Sequence, residues 1–262
     1  MPRSLAFAAA RAIMRSVDIA MPRFRRIAAA NLALAMPEAN SQAVIEGMYV
    51  ALSRMLVVFS RFPDFHRGNI GEWIRYEGFE HFEEAVRRGK GALFATAHLG
   101  AWELSAFAHA LMAKPMHIVI RPLDNGYVDE IVSRRRSASG NRLIPKKDAA
   151  LSIFRALKAN GAVGILVDQN VALEEGVFVD FFGVKACAGS AFARLAHRSG
   201  AAVIPGFALW SEKEKKYVLR FYPLLEFSGD TQADTQLLHS CIENVIRQYP
   251  EQWLWIHRRW KT

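Results

Sequence analysis

The stretch Ala92-Leu93-Phe94-Ala95-Thr96-Ala97-His98-Leu99-Gly100-Ala101-Trp102-Glu103 decides how the rest of the chain is read. Residues 92–97 form a short apolar run, and helical spacing of apolar residues begins near Ala101. His98 is therefore predicted where a strand gives way to a helix. On one continuous helix, a histidine and a glutamate five positions apart would point roughly 140° away from each other, because each residue turns the chain by about 100°. They can meet only across a bend. With His98 in the loop, Gly100 in a tight turn and Glu103 in the first helical turn, the Glu103 carboxylate is expected to hydrogen-bond one imidazole nitrogen and leave the other as a base. Of the eight histidines, only His98 has an acid five positions on, although a histidine that merely caps a turn fits the same spacing.

Working outward, the pattern alternates. Strands are predicted at 74–76, 92–97, 117–120, 142–144, 163–167, 203–209 and 218–222. Helices are predicted at 78–88, 101–112, 127–139, 149–160, 190–199 and 234–249. This alternation implies an α/β fold, a mixed and mostly parallel sheet flanked by helices, with functional groups at the carboxyl ends of the strands. Asp168 follows the apolar run 163–167 and precedes Gln169, so it is expected to project into the same crevice as His98, although an isolated Asp there also suits a turn. Arg121 follows a third strand, and Arg136 lies on the helix beyond it within the run Arg134-Arg135-Arg136. Such runs are usually solvated, but guanidinium forks are natural partners for phosphate.

Ahead of this core, residues 1–36 read as Ala-rich helices broken at Met21-Pro22, where proline disfavours a helical residue before it. Leu5, Ala9, Ala12 and Ile13 supply apolar surface, and Arg11 and Arg15 share a face. Either packing on the domain or contact with a membrane would use such a helix. Ser41 is expected to cap a long helix ending near Phe62. The predicted organisation is a helical, membrane-associating extension over 1–62 and one continuous α/β core over 63–262.

Composition narrows the classes. The hydrophobic fraction of 52% excludes a disordered chain, and no uninterrupted apolar run reaches the ~18 residues that a spanning helix needs. Two cysteines, Cys187 and Cys241, form no CxxC pair and suit a reducing compartment, with Cys187 expected to be buried and structural. The formal charge of +9 concentrates in residues 1–26, at 134–136, at Lys146-Lys147 and at Arg258-Arg259-Trp260-Lys261. Nucleic acid or an anionic membrane surface would answer it, and the interleaved apolar and aromatic residues favour the membrane. There is no G-x-S-x-G elbow, Walker A loop, G-x-G-x-x-G or convincing zinc spacing.

The block His98-Leu99-Gly100-Ala101-Trp102-Glu103 resembles the H-x4-D/E motif of the lysophospholipid acyltransferase superfamily. The order of further blocks is similar to that of the lipid A biosynthesis acyltransferases, the lauroyl and myristoyl transferases of Gram-negative bacteria. Those blocks are Asn31-Leu32 with Pro37, Arg121-Pro122-Leu123-Asp124-Asn125, Arg136, Gly164-Ile165-Leu166-Val167-Asp168-Gln169, and the tail from Pro250 to Trp260 containing Gln252-Trp253-Leu254-Trp255. The resemblance implies acyl transfer from acyl carrier protein or acyl-CoA, as co-substrate, to a hydroxyl of a lipid A precursor or related glycolipid. No further cofactor, metal or nucleic-acid partner is implied. A lysophospholipid or aminolipid acceptor is the alternative within the class, and a non-catalytic basic protein binding anionic lipid or nucleic acid is the alternative outside it. His98 would be the general base and Glu103 its orienting acid. Arg121, Arg136, Asp168 and Gln169 would bind substrate at or beside the site, with backbone amides near Gly100 or an arginine serving the oxyanion. The implied location is the cytoplasmic face of the bacterial inner membrane, peripheral or monotopic. Family members usually begin with a membrane-spanning helix, and this chain is expected to start after it. Oligomeric state, acyl chain length and choice of donor are not legible.

Overall fold

A computed structural model describes residues 2–147 and 149–262, so Met1 of the expected N-terminal unit lies outside it. Two helices open the chain, α1 (Arg3–Ala20) and α2 (Pro22–Ala35). They break where expected, with Pro22 at the first helical position, where its missing N–H costs nothing. The next helix, α3 (Ser41–Ser60), is capped by Asn40, whose side chain accepts from the Ala43 N–H, and not by Ser41. Its length and mean hydropathy of 1.5 would let it cross a bilayer. Here, however, Val44, Ile45 and Met48 lie in the core beside strand residues.

The α/β part follows as β1 (Ile74–Glu77), α4 (Phe79–Arg87), β2 (Ala92–Thr96), α5 (Trp102–Met112), β3 (His117–Ile120), α6 (Gly126–Ser137) and β4 (Arg142–Pro145). It continues as α7 (Ala149–Lys158), β5 (Ala162–Leu166), β6 (Gly176–Phe181), β7 (Val184–Gly189), α8 (Ala191–Ser199), β8 (Ala202–Ser211), β9 (Lys216–Phe221) and α9 (Thr231–Gln248). Among the described residues, seven strands form one sheet in the order β1-β9-β8-β2-β5-β3-β4, and all neighbours pair parallel except β8 with β9. The mostly parallel sheet flanked by helices is the architecture that the alternation implied.

Side chains alternate across β2 between two cores. Leu93 and Ala95 face the layer containing α2, α3, α7, α8 and α9 residues, and Ala92 and Phe94 face the Phe62, Phe82, Phe107 and Phe221 layer. Burial on both faces explains why these strands read as continuous apolar runs.

The hairpin of β6 and β7 has no counterpart in the sequence reading. Its two turn residues, Phe182 and Gly183, both have positive φ (59° and 75°). Hairpin turns of this kind normally announce themselves with Asn-Gly or Asp-Gly. Phe182 accepts the left-handed backbone because its ring is buried against Trp253, Trp255 and Trp260.

The first helix is two-faced. Ala6 and Ala10 pack on Val57, while Leu5, Ala9, Ala12 and Ile13 remain exposed beside Arg11 and Arg15. Both anticipated uses of this helix are thus physically open to it.

Candidate active site

Two parallel strands bring the chemistry together. The β2–β5 register pairs Thr96 with Leu166, and the Val167 N–H donates to Thr96 O (3.0 Å). Two residues beyond the paired ends, His98 and Asp168 stand side by side. Asp168 Oδ1 lies 2.9 Å from His98 Nδ1, and Oδ2 accepts from the His98 backbone N–H (3.0 Å) and from Trp253 Nε1 (2.8 Å). A carboxylate only accepts, so Nδ1 carries the proton and Nε2 keeps its lone pair. Gln169 Nε2 sits 3.4 Å from His98 Nε2, and the Trp102 ring meets the imidazole edge-on at 5.2 Å.

The bend that permits this is tight. Gly100 has φ +65°, and a Cβ there would lie 2.0 Å from Ala208 O. Only glycine fits, for conformation and for space. Around it the backbone amides are already engaged: Leu99 N–H donates to Ala97 O, Gly100 N–H to Gln252 O and Ala101 N–H to Ala208 O. The expectation that amides near Gly100 serve an oxyanion therefore fails for these three.

The acid on His98 is Asp168, not the expected Glu103. Helix α5 begins at Trp102, so Glu103 sits in its first turn and faces α6. There it pairs with Arg136 through Nε (2.9 Å) and Nη2 (2.5 Å). Of the three consecutive arginines, Arg134 pairs with Glu130 in solvent, Arg135 donates to Phe59 O, and Arg136 alone turns inward. Arg121, directly after β3, is exposed at the same carboxyl edge of the sheet.

Electrostatics separate the groups. Burial works against a charge on His98, but the charge and hydrogen bond of Asp168 outweigh it and raise the imidazole pKa above its ordinary 6.5; Glu103 adds to this and Arg136 opposes it. Burial also opposes the Asp168 charge, yet the imidazole, the Trp253 indole and the His98 amide together hold its pKa down at about 2. The pair therefore favours imidazolium once a proton arrives.

Several participants were missed by local sequence reading. Trp253 stands in the C-terminal tail of the sequence, and its contact with Asp168 joins residues 85 positions apart. Arg259 belongs to a basic cluster of the sequence, but it is wholly buried, donating to Cys187 O and lying 5.0 Å from the Phe181 ring centroid. Cys187 is buried, as expected. The one sequence signal that would have paired Asp168 with His98 is that each lies the same distance beyond the end of a parallel apolar strand.

A family model described as bacterial lipid A biosynthesis acyltransferase matches residues 1–262. The chain is 29% identical over 252 residues to a lipid A biosynthesis lauroyltransferase of Escherichia coli, covering 92% of this chain and 80% of that protein. It is 25% identical over 226 residues to a lipid A biosynthesis acyltransferase of Haemophilus influenzae, covering 86% and 71%. It is also 27% identical over 205 residues to a phosphatidylinositol mannoside acyltransferase of Mycolicibacterium smegmatis, covering 76% and 66%. With a polar cluster at the carboxyl ends of a mostly parallel sheet and one family model matching residues 1–262, one conclusion follows: the chain belongs to the bacterial lipid A biosynthesis acyltransferase family.

Proposed function

We propose that this acyltransferase moves a fatty acyl chain from the thioester of acyl carrier protein or coenzyme A to a hydroxyl of a lipid A precursor or related glycolipid, with His98 as general base and Asp168 as its orienting acid. The observation that carries this reading is the His98 Nδ1–Asp168 Oδ1 hydrogen bond at 2.9 Å, which commits one imidazole nitrogen and leaves the lone pair on Nε2, with the Gln169 amide 3.4 Å away. A thioester is already activated, so the protein has to deprotonate the nucleophile and stabilise the oxyanion. Nε2 takes the hydroxyl proton as the acceptor oxygen bonds to the thioester carbonyl carbon. The tetrahedral intermediate then collapses and the C–S bond breaks. The departing thiolate takes the proton from imidazolium, giving ester and free thiol with His98 neutral again. No acyl-enzyme is required. Asp168 fixes the tautomer and stabilises the imidazolium between the two proton transfers, as the acid of a serine hydrolase triad does.

In this reading Glu103 does not touch His98. Its ion pair with Arg136 shapes the wall of the crevice, and Arg136, Arg121 and the Gln169 amide are the donors for the oxyanion and the anionic groups of the acceptor. The exposed apolar stripe Leu5, Ala9, Ala12 and Ile13, flanked by Arg11 and Arg15, is suited to lie in the interface of an anionic bilayer. Both named kinds of relative acylate, by their names, components of glycolipids, which supports a glycolipid acceptor.

The test is acyl transfer by wild type and His98→Ala from labelled acyl-carrier protein and acyl-CoA to lipid A precursor and to lysophospholipid. Transfer to the glycolipid that the variant loses supports the reading. Near-normal transfer by a folded His98→Ala protein sinks it.

A further inference from the structure

The Asp168 carboxylate is almost fully buried, at 2% exposure, and a buried carboxylate is stable only when its oxygens are satisfied. Oδ1 is taken by the imidazole. Oδ2 has two donors, the His98 backbone N–H, fixed by the strand, and the indole N–H of Trp253 at 2.8 Å. Trp253 comes from the far end of the chain, just after the single turn Pro250–Gln252.

Its placement is over-determined. Trp253 and Leu99 form an isolated antiparallel bridge, Leu254 N–H donates to His98 O (2.9 Å), and Gly100 N–H donates to Gln252 O (2.9 Å). The Gln252 side chain brackets the Trp210 backbone, accepting from its N–H (2.8 Å) and donating to its O (3.2 Å). Trp255 packs edge-on against Trp253 at 4.6 Å and donates its own indole N–H to Pro250 O (2.7 Å). Residues 252–254 are thus stitched both to the His98 loop and to β8, and the one side-chain polar group that Trp253 owns ends on the acid of the pair.

We infer that Trp253 is a positioning residue of the His98–Asp168 pair, its indole N–H holding the Asp168 carboxylate in the plane that suits Nδ1 and drawing off part of its charge. This rests on Asp168 being the orienting acid. Without the N–H, the carboxylate charge falls more fully on the imidazole, so the base holds its proton to higher pH and the acid keeps its angle less well. Among the described residues, the other charged or titratable groups around the pair are Glu103 and Arg136 on the helix side, His257 and Arg259 on the tail, and His239 on α9. A change confined to Trp253 leaves all five in place.

Trp253→Phe keeps an aromatic ring and removes the donor; Trp255→Phe, also fully buried, removes an indole donor from the same segment without touching Asp168. For Trp253→Phe the expectation is a loss of about tenfold in kcat, the scale of one hydrogen bond to a charged group, with KM for the glycolipid unchanged. The acid limb of the pH–rate profile should move upward. Trp255→Phe should lose thermal stability to a similar extent and leave that limb where it is. Equal profiles for the two variants, or a limb that moves downward, would overturn the role of Trp253. Asp168→Asn serves as the separate control: if it transfers acyl groups at the wild-type rate, the orienting-acid reading itself fails. If Trp253→Phe does not fold, the wild-type protein decides. Among its six indole N–H resonances, one should follow the titration of His98 and shift in Asp168→Asn, and the absence of any resonance that does both overturns the assignment.

Discussion

Two carboxylate-centred pairs stand close together at the carboxyl edge of the sheet, and they are built from different materials. His98 and Asp168 come from the ends of adjacent parallel strands, and Glu103 and Arg136 come from two helices above them. Their hydrogen-bond lengths are alike, 2.9 Å in the first pair and 2.9 and 2.5 Å in the second. Their chemistry is not. An imidazole can change its charge, so the first pair can pass a proton back and forth. Arg136 cannot give up its proton, so the second pair is a fixed dipole that shapes and polarises the wall. Proximity of an acid to a base is therefore a poor guide to function; what matters is which partner can change its charge.

The contrast predicts a graded set of losses. His98→Ala removes the proton acceptor and should cost about 10² to 10⁴ in kcat, the usual worth of a general base, in a steady-state assay with the fold checked by circular dichroism. Asp168→Asn should cost somewhat less and should also change the pH profile. As the proposed base, His98 must be neutral to act, and its raised pKa would place the acid limb of kcat/KM above pH 6.5. With the Asp168 charge gone, burial dominates and that limb should fall below its wild-type position. A limb that does not move would put the two pairs on the same footing and erase the comparison.

Glu103→Gln should do less to kcat and more to stability. It leaves the Arg136 guanidinium, only 17% exposed, without its counter-charge, at a cost of roughly 1–3 kcal/mol in a denaturant titration. Restoring most of that loss with Glu103→Gln/Arg136→Met would sharpen the distinction between a structural and a reactive pair. A Glu103→Gln loss in kcat equal to that of Asp168→Asn would reverse it.

His98 at a strand end, Asp168 at another, the break at Pro22 and every strand of the main sheet were legible because apolar periodicity reports local structure. Which acid meets the histidine was not legible. Glu103 is near in sequence, but its direction is set by where α5 starts, whereas Asp168 is 70 positions away and is delivered by strand register. The hairpin at Phe182-Gly183 escaped because a buried aromatic took a turn position usually held by asparagine or glycine. The burial of Arg259 escaped for the opposite reason: composition treats every arginine as a surface charge, and only the tertiary fold shows Cys187 O and the Phe181 ring waiting for it. Arg136 was ambiguous within a run of three, and helix geometry alone resolves which one turns inward.

The alternation of Leu93 and Phe94 between two cores has a further consequence. Sliding β2 by one residue against β5 would carry His98 past Asp168, and it would also force a large ring into the space of a leucine and the reverse. The penalty for that error falls on greasy residues that never meet a substrate. The register that sets His98 beside Asp168 is thus insured by parts of the molecule with no chemistry of their own.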